Sequence, residues 1–260
     1  MRERGIPYVV AITGASGAIY GVRLVEALAE LGHEMSLCIS ESAKTVIQEE
    51  LEIDLGDLKN PNLDRLFKSV IASSERAKQS QFSDCFVDLQ SPRNDKLHVS
   101  DILKHITYYH HGDFTAPIAS GSYPTKGMMV VPCSTTTLAR IAAGISQTLI
   151  ERAAECTIKE GRKLVLVPRE TPLSAIHLEN MLKLARLGVA MVPAMPAFYS
   201  GQKAIDEMID FVVGKAMDSL QIPHALFRRW VGSPQNSSCH SRESGNPRSP
   251  LKACGDDKSL

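Results

Sequence analysis

The residues best placed to do chemistry sit in one short run, Thr13-Gly14-Ala15-Ser16-Gly17-Ala18-Ile19-Tyr20-Gly21. It follows an apolar, β-branched stretch, Tyr8 to Ile12, and passes into Val22-Arg23-Leu24-Val25-Glu26-Ala27-Leu28. There Val22, Leu24, Val25 and Leu28 share a face at helical spacing. Strand, glycine turn and helix in that order aim the helix's free N–H groups and positive dipole end at whatever lies above the turn. An anion, most often a phosphate, is the natural occupant. Gly14, Gly17 and Gly21 permit close backbone approach, and Ser16 adds a hydroxyl donor. The glycines fall as G-x-x-G-x-x-x-G, not as the G-x-G-x-x-G of the dinucleotide fingerprint. Close helix–sheet packing is the alternative use of such a turn.

Three other segments carry similar chemistry. Ligands of an open parallel sheet bind beyond the carboxyl ends of its strands. Ser40, Cys133–Thr137 and Arg169-Glu170 each follow an apolar run and so stand at such ends. The hydroxyls of Ser40, Ser134, Thr135, Thr136 and Thr137 suit a phosphate and a polar heteroaromatic ring better than a metal. No His/Asp/Glu cluster has metal-ligand spacing, and His110-His111 is an adjacent pair read as exposed loop. The run Thr13–Gly17 also resembles the short-chain dehydrogenases. Those enzymes place a charged ribose reader where Ser40 stands. Their Tyr-x-x-x-Lys has only Tyr199–Lys203 as a counterpart, with Pro196 and Gly201 opposing a helix there.

Elements able to position these residues alternate along the chain. Glu34–Ser40 reads as a second strand, with Ser40 or Ser42 capping a helix that begins at Ser42–Ile47. From Asp57 to Lys104 the pattern degrades into an extended excursion with one helix around Asn62–Ala72. Order is expected again from the turn Ala116–Ser122. Strands follow at Met128–Pro132, Lys163–Pro168 and Gly188–Pro193. Helices follow at Leu138–Ala142, Leu149–Lys159, His177–Leu187 and Ile205–Leu220. Short, apolar, non-alternating strands between helices predict an α/β fold, a mostly parallel sheet covered on both faces. From Val231 the composition turns to Ser, Pro, Asn, Gly and charge, which predicts a disordered tail over 232–260.

Bulk composition narrows the partners. The 260 residues are 43% hydrophobic, enough for a sizeable core, and their formal net charge is zero. Neither nucleic acid nor an anionic membrane is favoured by that balance. No apolar run approaches the roughly 20 residues needed to cross a bilayer. Met1-Arg2-Glu3-Arg4 leads almost directly into the first strand, which argues against a signal peptide. The six cysteines form no C-x-x-C pair and are expected to be reduced, in a cytoplasmic protein.

Taken in order, Thr13-Gly14-Ala15-Ser16-Gly17-Ala18-x-Tyr20-Gly21, Ala119-Ser120-Gly121-Ser122, Pro132-Cys133-Ser134-Thr135-x-Thr137-Leu138, Glu151-Arg152-Ala153-Ala154, Pro168-Arg169-Glu170-Thr171-Pro172 and Pro196-x-Phe198-Tyr199 resemble the UbiX-type flavin prenyltransferases. The resemblance covers about Tyr8 to Trp230, except the 57–104 excursion. It implies a flavodoxin-like, Rossmann-like three-layer domain over residues 1–231 that binds FMN and assembles as a homo-oligomer, typically a dodecamer. The implied reaction moves a dimethylallyl group from dimethylallyl monophosphate to reduced FMN without a metal. Its product, prenylated FMN, would serve a UbiD-type decarboxylase, including in ubiquinone biosynthesis.

The resemblance also assigns residues. Gly14, Ala15, Ser16, Ser40, Ser134, Thr135, Thr136, Thr137 and Arg169 are implied cofactor contacts. Phosphate departure from an allylic carbon builds charge on the leaving oxygens, which fixed cations stabilise. Arg152 and Lys159, seven apart on one helix face, with Arg169, Lys215 and the Tyr199 hydroxyl, are implied phosphate ligands. Lys215 stands where the family has arginine, so bidentate contact is lost while charge remains. Tyr199 and Trp230 match positions for a π-rich surface facing the allyl cation. Glu50 and Glu170 match the two catalytic glutamates, with acid–base roles, and Ser16 lies near the flavin's reactive nitrogen. Glu49 and Glu52 flank Glu50 and read as solvated. Two other readings share the flavin: an FMN-dependent peptidyl- or pantothenoyl-cysteine decarboxylase, and a flavin carrier without activity.

Overall fold

A computed structural model describes residues 5–68, 98–198 and 204–230. Strand β1 (Tyr8–Ile12) leads into α1 (Ala18–Glu30), β2 (Met35–Ile39) and α2 (Glu41–Leu51). A helical stretch α3 covers 63–68. Then come α4 (Val99–Leu103), β3 (Ile106–His110), β4 (Met128–Cys133), α5 (Thr135–Ala143) and α6 (Leu149–Lys159). The chain continues through β5 (Leu164–Pro168), α7 (Ala175–Arg186), β6 (Ala190–Met191) and α8 (Ile205–Ser219).

The strands form one sheet in the order β3-β2-β1-β4-β5-β6, and every pairing is parallel. Each residue of β1, β2, β4 and β5 is buried, as expected for strands covered on both faces. One apolar core packs α1, α2 and α8 against one face, and a second packs α5 and α6 against the other. The doubly covered α/β sheet expected from the alternation of elements is the architecture found.

Two details differ from the sequence reading. Ile106–His110 is the edge strand β3, so His110 ends a strand and is not loop. Its half-buried Ile-Thr-Tyr-Tyr-His lacks the apolar run of the central strands. The last strand is only Ala190–Met191, the residues that pair with Val165 and Leu166 of β5. The helix expected at Asn62–Ala72 is described only as far as residue 68, and most of the excursion lies outside the described residues.

By its contacts the chain divides into Met1–Arg228, which holds the sheet, and Arg229–Leu260. Of the second unit only Arg229 and Trp230 are described, so the tail expected over 232–260 lies outside the described residues.

Candidate active site

The strand order reverses between β1 and β4, so the crevice of this sheet opens at their carboxyl ends. The loop Thr13–Gly17 stands there, and three distant segments hold it. From β4, Pro132 O accepts from both Thr13 N (3.2 Å) and Thr13 Oγ1 (2.9 Å), while Ser134 N donates to Thr13 Oγ1 (2.8 Å). From α2, the Glu50 carboxylate accepts from Gly17 N (2.9 and 3.0 Å) and Ala18 N (3.0 Å). From the end of β5, Arg169 Nε donates to Ser16 O at 3.3 Å. Gly17 holds φ +96°, a left-handed value that favours glycine. At Gly14 a Cβ would stand 2.3 Å from Ser42 Oγ, so only glycine lets the start of α2 approach.

These contacts revise the expectation of a phosphate at the head of α1. That helix has no side-chain cap of its own at Gly17, and the carboxylate of Glu50 fills the anion position. The positive end of α1 is thus paired with a carboxylate of the same chain. Geometry also separates Glu50 from its neighbours: Glu49 and Glu52 make no such contact among the described residues.

Ser40 and Ser134 are helix caps. Ser40 Oγ accepts from Ala43 N at 3.1 Å. Ser134 Oγ accepts from Thr137 N at 3.2 Å and donates to Thr137 Oγ1 at 3.0 Å. Capping fixes where α2 and α5 begin and so aims the free N–H groups of their first turns. Thr135 is half-buried and Thr136 exposed at the head of α5, while Thr137 is buried. Ala15 is buried and Ser16 exposed on the facing loop. Hydroxyls, free helix N–H groups and the Arg169 guanidinium in one crevice fit the phosphate and polar ring of FMN.

Arg169 and Glu170 line a small hollow with Leu173, Met181, Pro193 and Met195. Pro193 and Met195 also line a larger hollow of about 470 Å³, walled by Met191, Phe211 and Val212, where Lys215 stands. Lys215 Nζ lies 3.8 Å from Asp218 and its side chain is half exposed. Arg169 also faces Tyr20, whose phenol burial pushes up and the guanidinium partly pulls back down. Glu170 Oε1 accepts from Thr171 N at 3.1 Å.

Not every expected phosphate ligand joins this group. Arg152 and Lys159 belong to α6, whose apolar face packs in the second core, opposite α8 and Lys215. Arg152 Nε donates to Ala119 O at 3.0 Å, and its Nη1 pairs with Glu155 at 2.9 Å. Bonds from Ser146 first, then Arg152, hold the Glu155 carboxyl below its ordinary range. Lys159 pairs with Glu160 at 2.7 Å. Within one chain these two cations do local work, and the sheet stands between α6 and Lys215. Tyr199 lies outside the described residues. Trp230, in the second unit, is 66% exposed. No group of three or more His, Cys, Asp or Glu could hold a metal among the described residues.

Sequence reasoning missed one residue, Thr13. It was quoted only as part of the turn, yet it is 1% exposed and its hydroxyl bridges the loops from β1 and β4.

A parallel sheet in this order, with glycine- and hydroxyl-rich loops meeting at its reversal, defines a Rossmann-like nucleotide-binding protein, and residues 2–217 match the family model described as Flavoprotein. The flavin prenyltransferase UbiX of Halalkalibacterium halodurans is 45% identical over 231 residues, 89% of this chain and 96% of that protein. The enzyme of the same name from Saccharolobus solfataricus is 41% identical, over 89% and 95%. The chain belongs to the UbiX family of flavin prenyltransferases. Among solved structures, a dodecameric FMN-dependent UbiX-like decarboxylase from Escherichia coli O157:H7 is similar, with 38% identity, TM-score 0.67 and coverage of 87% and 100%. A UbiX (PadA1) in complex with FMN and dimethylallyl pyrophosphate has 34% identity, TM-score 0.66 and coverage of 88% and 100%.

Proposed function

We propose that this chain transfers a dimethylallyl group from dimethylallyl monophosphate to reduced FMN, forming prenylated FMN. The observation that carries this reading is convergence on one loop. Glu50, 33 residues from Gly17, and Arg169, 153 residues from Ser16, both bond the Thr13–Gly17 turn where the sheet order reverses. FMN supplies the nucleophilic ring when bound. Ser134, Thr135, Thr136 and the first turn of α5 offer contacts to its polar groups, and Ser16 faces it from the other side. Arg169 and Lys215 stabilise charge that grows on the departing phosphate, with the Tyr199 hydroxyl as a further contribution, and the Tyr199 and Trp230 rings would offer π-electron density to the allyl cation. Glu50 and Glu170 move the protons that ring closure and phosphate release require. A monophosphate donor suits the chain, because its only adjacent aspartates are Asp256-Asp257 in the tail, and the domain has no Asp-Asp pair of the kind that holds magnesium for a diphosphate.

The product would pass to a UbiD-type decarboxylase, in ubiquinone biosynthesis among other routes, and the working compartment would be the cytoplasm. No helix among the described residues is long and apolar enough to cross a membrane. Assembly into a homo-oligomer, a dodecamer as in the Escherichia coli relative, also belongs to this reading. In such an assembly Arg152 and Lys159 act on a donor phosphate only from a neighbouring copy. Residues 1–231 would act as one FMN-binding domain, with 232–260 outside it.

The test is anaerobic incubation with reduced FMN and dimethylallyl monophosphate, followed by the mass of the extracted flavin. A heavier, prenylated flavin is expected from the wild type. Arg169→Ala and Glu170→Gln abolish it while partly retaining FMN. Unchanged flavin with CO2 release from a peptidyl cysteine would place the chain with the cysteine decarboxylases. Wild-type turnover in both variants would overturn the residue assignment.

A further inference from the structure

The regular β1–β4 ladder ends at the pair Ala11↔Val130, just short of the crevice. On its other side β1 is closed by Ser40 N donating to Ile12 O at 3.0 Å. Toward β4 a backbone bond from Thr13 N to Pro132 O (3.2 Å) continues, and the side chain extends it: Thr13 Oγ1 donates to Pro132 O at 2.9 Å and accepts from Ser134 N at 2.8 Å. A hydroxyl is both donor and acceptor, and here both capacities are used across the gap. Ser134 is in turn the cap of α5, so the hydroxyl of Thr13 fixes the starting point of that helix. Thr13 O accepts from Ala15 N at 2.8 Å, which ties the same residue to the turn carrying Ser16.

We infer that Thr13 is a positioning residue for the flavin loops, holding the β1 turn and the head of α5 at the separation the cofactor needs. At 1% exposure it touches no ligand and acts only through Ser134 and the Ala15–Ser16 turn. The inference rests on the FMN reading above. Valine has the shape of threonine without the hydroxyl. It keeps the backbone bond to Pro132 O but leaves Ser134 N unpaired, which frees the head of α5 from the β1 turn, whereas serine keeps the bridge.

The full chain is titrated with FMN by quenching of flavin fluorescence, as wild type, Thr13→Val and Thr13→Ser. Thr13→Val is expected to weaken FMN binding about tenfold, the scale of one lost buried hydrogen bond. Thr13→Ser should stay within about threefold of wild type on the same scale. In turnover assays Thr13→Val should raise the KM for FMN while leaving kcat largely intact at saturation. Equal affinity in wild type and Thr13→Val overturns the inference, as does equal impairment of Thr13→Val and Thr13→Ser, which would make shape the cause. A wild type that does not bind FMN overturns the functional reading as well. Should Thr13→Val fail to fold, Thr13→Cys, whose thiol is a weak donor and acceptor, replaces it with the same expectation.

Discussion

Single residues at this crevice do two jobs at once. The carboxylate of Glu50 is an implied proton carrier, and it also caps α1 from 33 positions away. Removing it as Glu50→Ala leaves two N–H groups of a helix end without a partner, which costs about 1 kcal/mol, as for other lost caps. Glu49→Ala, one position earlier on an exposed surface, should stay within about 0.5 kcal/mol. Urea unfolding of the flavin-free protein distinguishes the two, and equal losses would contradict the capping role. Prenyl transfer by Glu50→Gln should also fall by about 10²–10⁴-fold, the usual worth of a general acid or base. Sequence alone supplied three nearby glutamates, and only resemblance to relatives selected Glu50. A carboxylate's partner is a matter of three-dimensional reach, which spacing along a helix does not carry. The hydroxyls were more legible, since Ser40 and Ser134 directly follow apolar strands and precede helices. Thr13 stood in the same motif, but nothing local marks which neighbouring loop its hydroxyl will bridge.

At the scale of elements, buried strands announce themselves and edges do not. Tyr8–Ile12, Met35–Ile39, Met128–Cys133 and Leu164–Pro168 are apolar runs, broken only by the buried Ser36, because both faces of the sheet are covered. Ile106–His110 escaped notice because an edge strand pairs on one side only and tolerates polar residues. Helix α1 concealed something else. Its apolar positions were plain, but Arg23 and Glu26 are buried too, at 1% and 6% exposure. Arg23 Nε pairs with Asp210 of α8 at 2.7 Å, across 187 positions, and its Nη1 lies 3.2 Å from Glu30 and 3.6 Å from Glu26. Burial lowers the affinity of the Arg23 guanidinium for its proton, and the surrounding carboxylates, Asp210 foremost, more than restore it. The pair couples the helix that follows the Thr13–Gly17 turn to the helix that carries Lys215. Asp210→Asn should therefore cost about 3 kcal/mol, the lower end for breaking a buried ion pair, because Glu30 and Glu26 remain. Glu30→Gln, at a partly exposed partner, should cost less than half as much. A chemical-denaturation series that ranks Glu30→Gln above Asp210→Asn would contradict the coupling.

For the whole molecule the telling surface is α7. Only Leu184 of its twelve residues is buried, while Ile176, Leu178 and Leu182 are 68%, 52% and 51% exposed. Ala175, Leu178, Leu182 and Ala185 recur at the alternating three- and four-residue spacing by which helices pack on one another. A chain of zero net charge has little global repulsion to keep such a stripe apart from its own kind. If this chain assembles as proposed, a second copy is the expected cover for α7; the similar structure from Escherichia coli O157:H7, 38% identical, is dodecameric. Leu182→Glu tests this without touching either core, since the position is already exposed within one chain. A carboxylate at 182 has Arg186 one turn on, yet forcing it into an apolar contact strips its water and costs several kcal/mol on the usual scale for buried charges. Analytical ultracentrifugation should then find the variant in smaller species than wild type. Its unfolding should lose only the part that depends on protein concentration. If the variant sediments with the wild type, α7 is not the contact. If the wild type is itself a single chain of 28.4 kDa, Arg152 and Lys159 have no neighbour to serve, and the donor phosphate must be held by Arg169, Lys215 and the residues of one copy.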